Sequence, residues 1–226
     1  MVTPTDVETK DGGDGASPNR SKDDNSEDFD CFLDGEYVMD IFKTRVCSIT
    51  GVSRQGSGCV IDGRHILTSK NLGFGIGDDY VIKRMDTYDS RPKCVYFTKY
   101  ADLAILQLNE PVREKVPISQ INFGRSHFQI GLLHTSDQSS LSISEIFMEG
   151  KHEDAVHLNG IPGSRGGYCG SPVVSKYGQL GGIVVGDVHP TEANTTLPHM
   201  IEKPCIKVMP ISTIMYVLRE EGFLPK

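Results

Sequence analysis

From about residue 38 the chain is a succession of short apolar runs, each closed off by Gly, Asp, Asn or Pro and recurring at intervals of roughly 8 to 15 residues. They read RVCSITGV, SGCVID, RHILTSK, DYVIKRM, KCVYFTK, DLAILQL, QIGLLHT, LSISEIF, PVVS, QLGGIVVG and CIKVM. Runs this short cannot bury a helical face, whereas their β-branched content and period-two alternation suit strands with one face on a core. Eleven or twelve such strands predict an all-β protein of two six-stranded antiparallel β-barrels. One stretch breaks the pattern. In ISTIMYVLREEG, Ile211, Ile214, Met215 and Leu218 fall on one face at helical spacing, Pro210 precedes them and Gly222 follows. A C-terminal α-helix is therefore expected over 211–222.

Residues 1 to 30 have a different texture: Asp, Gly, Ser and Asn with almost no large apolar side chain, too little to offset the entropy of ordering. They are expected to be a disordered acidic tail, followed by an N-terminal barrel over 31–115 and a C-terminal barrel with the terminal helix over 116–226. The tail holds nine Asp/Glu against three Lys/Arg, a charge of −6 within the chain's −7, so the other 196 residues carry only −1. A nearly neutral body lacks the basic stripe of a phosphate-tracking surface, and a nucleic-acid role is unsupported. The absence of an apolar run of about 18 residues, or of a basic-then-apolar leader, predicts no membrane segment and an unsecreted, cytoplasmic protein. Six scattered cysteines, with no CxxC pair and no zinc-like spacing, predict reduced thiols, no metal and no cofactor. GFGIG at 73 to 77 lacks the Lys-Ser/Thr ending of a phosphate loop and reads as a plain loop.

The chemistry concentrates in RGGYCGSPVV. A thiol performs acyl transfer when a base takes its proton and backbone N–H groups stabilise the oxyanion. Glycines on both sides of Cys169 would let Gly167 and Cys169 aim their N–H groups at one oxygen, while Pro172 opens a strand where a missing donor is tolerable. From that stretch alone a packed core cysteine reads equally well. In DLAILQL, Asp102 heads an apolar strand, a costly place for a carboxylate without a partner. Orienting a histidine is one such use; a carboxylate at a surface strand edge is the other.

GSGCVIDGRHILTSKN at 56 to 71, followed in order by DLAILQL and GYCGSPVV, resembles the double β-barrel peptidases of the chymotrypsin superfamily. The terminal strand, MPIS and helix resemble the end of Deg-type peptidases, and the likeness spans residues 45 to 222. It implies Cys169 as nucleophile, Asp102 as the orienting acid, and Gly167 with Cys169 as oxyanion-hole donors. A cysteine nucleophile on this fold resembles the main proteases of positive-strand RNA viruses, which cut polyproteins, and implies a peptide or polyprotein substrate in the host-cell cytoplasm. Tyr168 stands where trypsin-like enzymes carry the Asp that pairs with a new N-terminus, so activation by that route is not expected. The resemblance also puts the primary pocket on QLGGIVVGDVHP. Val184 holds the position of the histidine of glutamine-demanding viral enzymes, so Gly163, Val184 and Gly186 are expected to frame a small or apolar pocket unless Asp187 or His189 folds in.

One position departs from the pattern: Asn71 stands at the catalytic histidine. An amide has no pKa near neutrality and cannot shuttle a proton, so the site is expected to be inactive in this form. His65 opens the same strand, roughly 20 Å away at 3.3 Å per residue, and cannot substitute. His134, His189 and His199 could reach the thiol only through tertiary folding. Three accounts of Asn71 stand open: a replaced histidine, a natural pseudo-protease that binds peptides without cutting them, or another base serving Cys169.

Overall fold

Alternation in the apolar runs becomes two six-stranded sheets. The computed structural model describes residues 35–85, 90–98, 101–112, 115–134, 138–188 and 205–225; the acidic tail and His189 and His199 lie outside them. Among the described residues the first sheet holds β1 (Val46–Thr50), β2 (Gln55–Val60), β3 (His65–Ser69), β4 (Val81–Arg84), β5 (Lys93–Phe97) and β6 (Leu103–Gln107). The second holds β7 (Arg125–His134), β8 (Ser139–Lys151), β9 (Leu158–Ile161), β10 (Pro172–Val174), β11 (Leu180–Val188) and β12 (Cys205–Pro210). All strand pairs are antiparallel.

The second sheet closes into a barrel, in the order β10-β11-β12-β9-β8-β7. The first runs β4-β1-β2-β3-β6-β5, and its two ends approach through isolated bridges, Asp79 to Lys93 and Ile82 to Ser90. It is a half-barrel, and the two six-stranded antiparallel sheets with a C-terminal helix are the architecture the sequence predicts. β4 has four residues, and backbone bonds from Tyr80 to the Pro92 carbonyl and from Cys94 to the Asp78 carbonyl extend the seam beyond it.

β3, HILTS, is buried along its whole length because both faces are covered. Ile66 joins the half-barrel interior with Ile49, Val60 and Leu106, while Leu67 points the other way into the core shared by both sheets. The barrel interior is filled by Ile146, Met148, Val173, Val184, Ile206 and Val208. The terminal helix α2 (Ile211–Glu220) buries Ile211, Ile214 and Leu218 as its spacing predicts, and ends at Gly222 with φ +78°.

A second helix, α1 (Gly35–Phe42), is not among the sequence expectations. It is only eight residues long, and its apolar positions Val38, Ile41 and Phe42 give one turn of pattern next to the acidic tail. What stabilises it is tertiary. Val38 and Phe42 are fully buried, worth roughly 1.5 to 3 kcal/mol each, and Arg45 donates to the Ile41 carbonyl at its C-terminal end at 2.9 Å. Although it precedes the half-barrel in sequence, α1 packs on β7 and β8 of the closed barrel. The terse β9, four residues in a turn-rich stretch, is the other element the sequence pattern does not announce.

Candidate active site

Two glycine-flanked segments meet where the sheets face each other. Ser57, in β2, donates its N–H to the Cys169 carbonyl at 2.8 Å and its hydroxyl to the Gly167 carbonyl at 2.8 Å. That hydroxyl also accepts from the Leu132 N–H at 3.1 Å, and Thr68 donates to the Ser57 carbonyl at 2.7 Å. Such an approach leaves no room for side chains. A Cβ at Gly56 would press on the Cys169 carbonyl oxygen, and one at Gly170, whose φ is +88°, would sit on the Ser57 carbonyl oxygen. GSG and GYCG are thus the two halves of one contact across the sheets. Beneath it the Tyr168 ring is fully buried against Gly131, and its hydroxyl donates to Ser142 Oγ at 2.6 Å.

The turn presents Cys169 half-buried, with Gly167 at φ +89° before it. Neither the Gly167 nor the Cys169 N–H donates to a protein acceptor among the described residues. The thiol donates to the Val185 carbonyl at 3.4 Å. Two other groups use the same oxygen: Asn71 Nδ2 at 2.9 Å and Ser69 Oγ at 2.9 Å. Asn71 rides on a 3₁₀ turn, Lys70–Leu72, capped by Ser69, and its carbonyl accepts from Arg54 Nε at 3.1 Å. Three donors on one acceptor leave no atom in this set to receive the thiol proton. Burial pushes the Cys169 pKa up, and the carboxylates of Asp187 and Asp102 push the same way, against a hydrogen bond from Ser69 and the Arg54 charge. The resting group is a protonated thiol.

Asp102 lies at the head of β6 with φ +50°, its carbonyl accepting from the Lys70 N–H at 2.8 Å. Its carboxylate makes no hydrogen bond to Asn71; it faces Lys207 Nζ of β12 at 3.9 Å. The structure therefore brings Cys169 and Asn71 together and turns Asp102 towards a cation. Lys207 also reaches Asp154 Oδ2 at 2.9 Å, and that oxygen holds His157 Nδ1 at 2.8 Å, with His157 Nε2 3.4 Å from the Ala101 carbonyl.

Of the proposed pocket residues, Gly186 lies beside Asn71, whose Nδ2 is 3.8 Å from where a Cβ would be. Val184 is fully buried in the barrel core, not facing a cleft. Gly163 adjoins Ser164, whose N–H and hydroxyl both donate to Asp187 Oδ1, at 2.9 and 2.7 Å. Asp187 thus folds in beside the 163–164 turn. His65 is committed elsewhere: Nδ1 lies 2.7 Å from Asp62, and the ring stacks edge-on with Phe223. No described histidine hydrogen-bonds to Cys169. Ser69, Lys207 and the Val185 carbonyl escape the sequence reading. Ser69 sits inside the quoted LTSKN, yet only the fold shows its hydroxyl turned to the thiol; a backbone carbonyl has no sequence signal at all.

Cys47, Cys59, Cys94 and Cys205 are buried free thiols, and burial raises Cys47 to about 12. No three described His, Cys, Asp or Glu residues are grouped to hold a metal, and no described helix is long and apolar enough to cross a membrane.

No protein-family model matches the sequence, and no curated protein does. Solved structures do match. The Rv3671c protease in its inactive form superposes with a TM-score of 0.61 at 14% identity, covering 81% of this chain and 91% of that one. A serine-to-alanine mutant of Rv3671c from M. tuberculosis H37Rv, also an inactive form, gives 0.61 at 14% identity over 84% and 92%. A serine endoprotease from Yersinia pestis gives 0.62 at 17% identity over 81% of this chain and 64% of that one. At such identities the likeness establishes the fold, that of chymotrypsin-like proteases.

Proposed function

We propose that this chain is a cysteine-type endopeptidase of chymotrypsin-like fold, of the kind that cuts viral polyproteins in the host-cell cytoplasm, silenced here by Asn71. The observation that carries this reading is the convergence of Cys169 and Asn71 on one carbonyl oxygen, Val185 O, at 3.4 and 2.9 Å. A side chain at 71 is within reach of the thiol, and the one present donates to the Val185 carbonyl and has no basic atom to take a proton. With histidine there, its ring would take the thiol proton, Cys169 would attack the peptide carbonyl, and the unpaired N–H groups of Gly167 and Cys169 would receive the oxyanion. An extended peptide would lie along β11 at Val185 to Asp187, with Gly163, Gly186 and the Asp187–Ser164 pair shaping the first subsite. Val184 would support that wall from the core.

The neighbours with protease names support the fold, and the cysteine resembles the viral branch. Asn71→His is the test. Cleavage of a peptide library and fast iodoacetamide alkylation near neutral pH, both abolished by Cys169→Ala, are expected. If Asn71→His folds yet neither cuts nor gains thiol reactivity, while the parent chain holds extended peptides, the protein is a peptide-binding pseudo-protease.

A further inference from the structure

On the closed barrel, at the start of β7 and the turn joining β10 to β11, lies a cavity of about 380 Å3 that shares no residue with the Cys169 site. In a chain of net charge −7, none of its lining residues is acidic. Arg125, His127 and Lys176 face it with the hydroxyls of Ser126 and Ser175 and the ring of Tyr177. His127 is 97% buried, being 3% exposed. Its Nδ1 lies 3.2 Å from the Arg125 carbonyl. A carbonyl only accepts, so Nδ1 carries the hydrogen and the neutral ring leaves Nε2 as an acceptor without a partner among the described residues. The exposed Arg125 guanidinium makes no ion pair among the described residues; Lys176 pairs with Glu145 at 3.2 Å.

The geometry points to a binding site for a phosphate monoester. The Arg125 guanidinium supplies donors for its oxygens, Lys176 adds charge, and the His127 Nε2 takes the one proton a monoester still carries; the Ser126 and Ser175 hydroxyls are engaged with Glu145 and Gln179. That proton is the discriminating feature. A monoester titrates near pH 6, so it can offer P–OH to Nε2, whereas sulfate and a phosphodiester have no proton to give. Burial lowers the His127 pKa, with Lys176 acting in the same direction and the Arg125 carbonyl opposing, so the empty site holds a neutral imidazole. The charged and titratable groups around it are Arg125 on its own strand, Lys176 and Tyr177 on the β10–β11 turn, and Glu145 on β8, which bonds both Ser126 and Lys176.

The test titrates the full chain at constant ionic strength with inorganic phosphate, phenyl phosphate, sulfate and dimethyl phosphate, following the His127 ring resonance. Phosphate is expected to saturate one site with a Kd of about 1 mM or tighter. Sulfate and dimethyl phosphate should bind at least about tenfold more weakly, and phenyl phosphate, which loses its last proton over this range, should bind more tightly at about pH 6 than at about pH 8. Arg125→Glu, at an exposed position, should weaken phosphate at least about tenfold with the fold intact, and His127→Asn should erase the preference over sulfate. Phenyl phosphate binding more tightly than phosphate assigns an aromatic ester resting on Tyr177; equal binding assigns free phosphate. A His127 resonance that phosphate leaves unmoved, an equal response to sulfate, or Arg125→Glu binding like the parent overturns the site.

Discussion

Two polar clusters sit close together between the sheets, and they hold complementary halves of an acid–base apparatus. Around Cys169 are a thiol, a hydroxyl and an amide, all donating to the Val185 carbonyl. Around Lys207 are the parts the first cluster lacks: Asp102, Asp154 and an imidazole, His157, already paired with a carboxylate. His157 is buried with Nδ1 on Asp154 and Nε2 near the Ala101 carbonyl, so both ring nitrogens are taken up in holding loop 152–157 to the half-barrel. The contrast shows that proton transfer depends on aim rather than inventory. A carboxylate–histidine pair cannot take a proton from a thiol when both ring nitrogens face fixed partners.

This contrast can be tested by moving groups between the clusters. In an Asn71→His background, Lys207 competes with the new imidazole for Asp102. Lys207→Met should release that carboxylate and raise kcat/KM by roughly ten- to a hundredfold, given the weight an orienting Asp carries in such triads. An unchanged kcat/KM would mean that Asp102 is not the orienting group.

The second cluster should matter for stability instead. Asp154→Asn removes the acceptor of His157 and Lys207, and about 1 to 3 kcal/mol of unfolding free energy should be lost in denaturant titrations near neutral pH. Asp154 is held below the usual carboxylate range. Burial would raise it, but Lys207, the His157 N–H and ring, and the Val156 N–H outweigh that. Asp62 behaves likewise: burial opposes, yet His65 and the Arg64 N–H hold it at about 2. A carboxyl depressed in the folded state contributes stability that is present above its unfolded pKa and lost as pH falls through the folded one. The melting temperature should therefore fall from about pH 4 towards pH 2, and Asp62→Asn should flatten that fall.

The smallest effect belongs to the hydroxyl beside the thiol. Ser69 favours the thiolate, so Ser69→Ala should slow iodoacetamide alkylation of Cys169 by about threefold, under 1 kcal/mol. Faster alkylation would show that the Ser69 hydroxyl holds the proton on sulfur.

Much of the architecture was legible in the chain because strand formation depends on short-range alternation. The runs from RVCSITGV to CIKVM mark eleven of the twelve strands, and helical spacing over 211–222 marks α2. β9 and α1 are too short for periodicity to register, and α1 folds because Val38 and Phe42 find a groove on strands nearly a hundred residues away. Within the site, the glycines of GSG and GYCG could be read as demands for close approach, though not as demands made by each other. Val184 shows what spacing leaves out. Its place in the motif suggests a pocket wall, but on a strand with period two it is the residue that turns into the core.

Local chemistry in the chain decided that there would be two antiparallel sheets, a thiol on a glycine turn, and an amide instead of an imidazole at residue 71, since each follows from residue type and near-neighbour spacing. The fold in three dimensions decided who bonds to whom: the Val185 carbonyl as common acceptor, Lys207 rather than residue 71 facing Asp102, and Asp154 as the partner of His157. Those choices join residues up to 116 positions apart. They depend on strand register and sheet packing, where a shift of one residue would turn every one of these side chains to the other face.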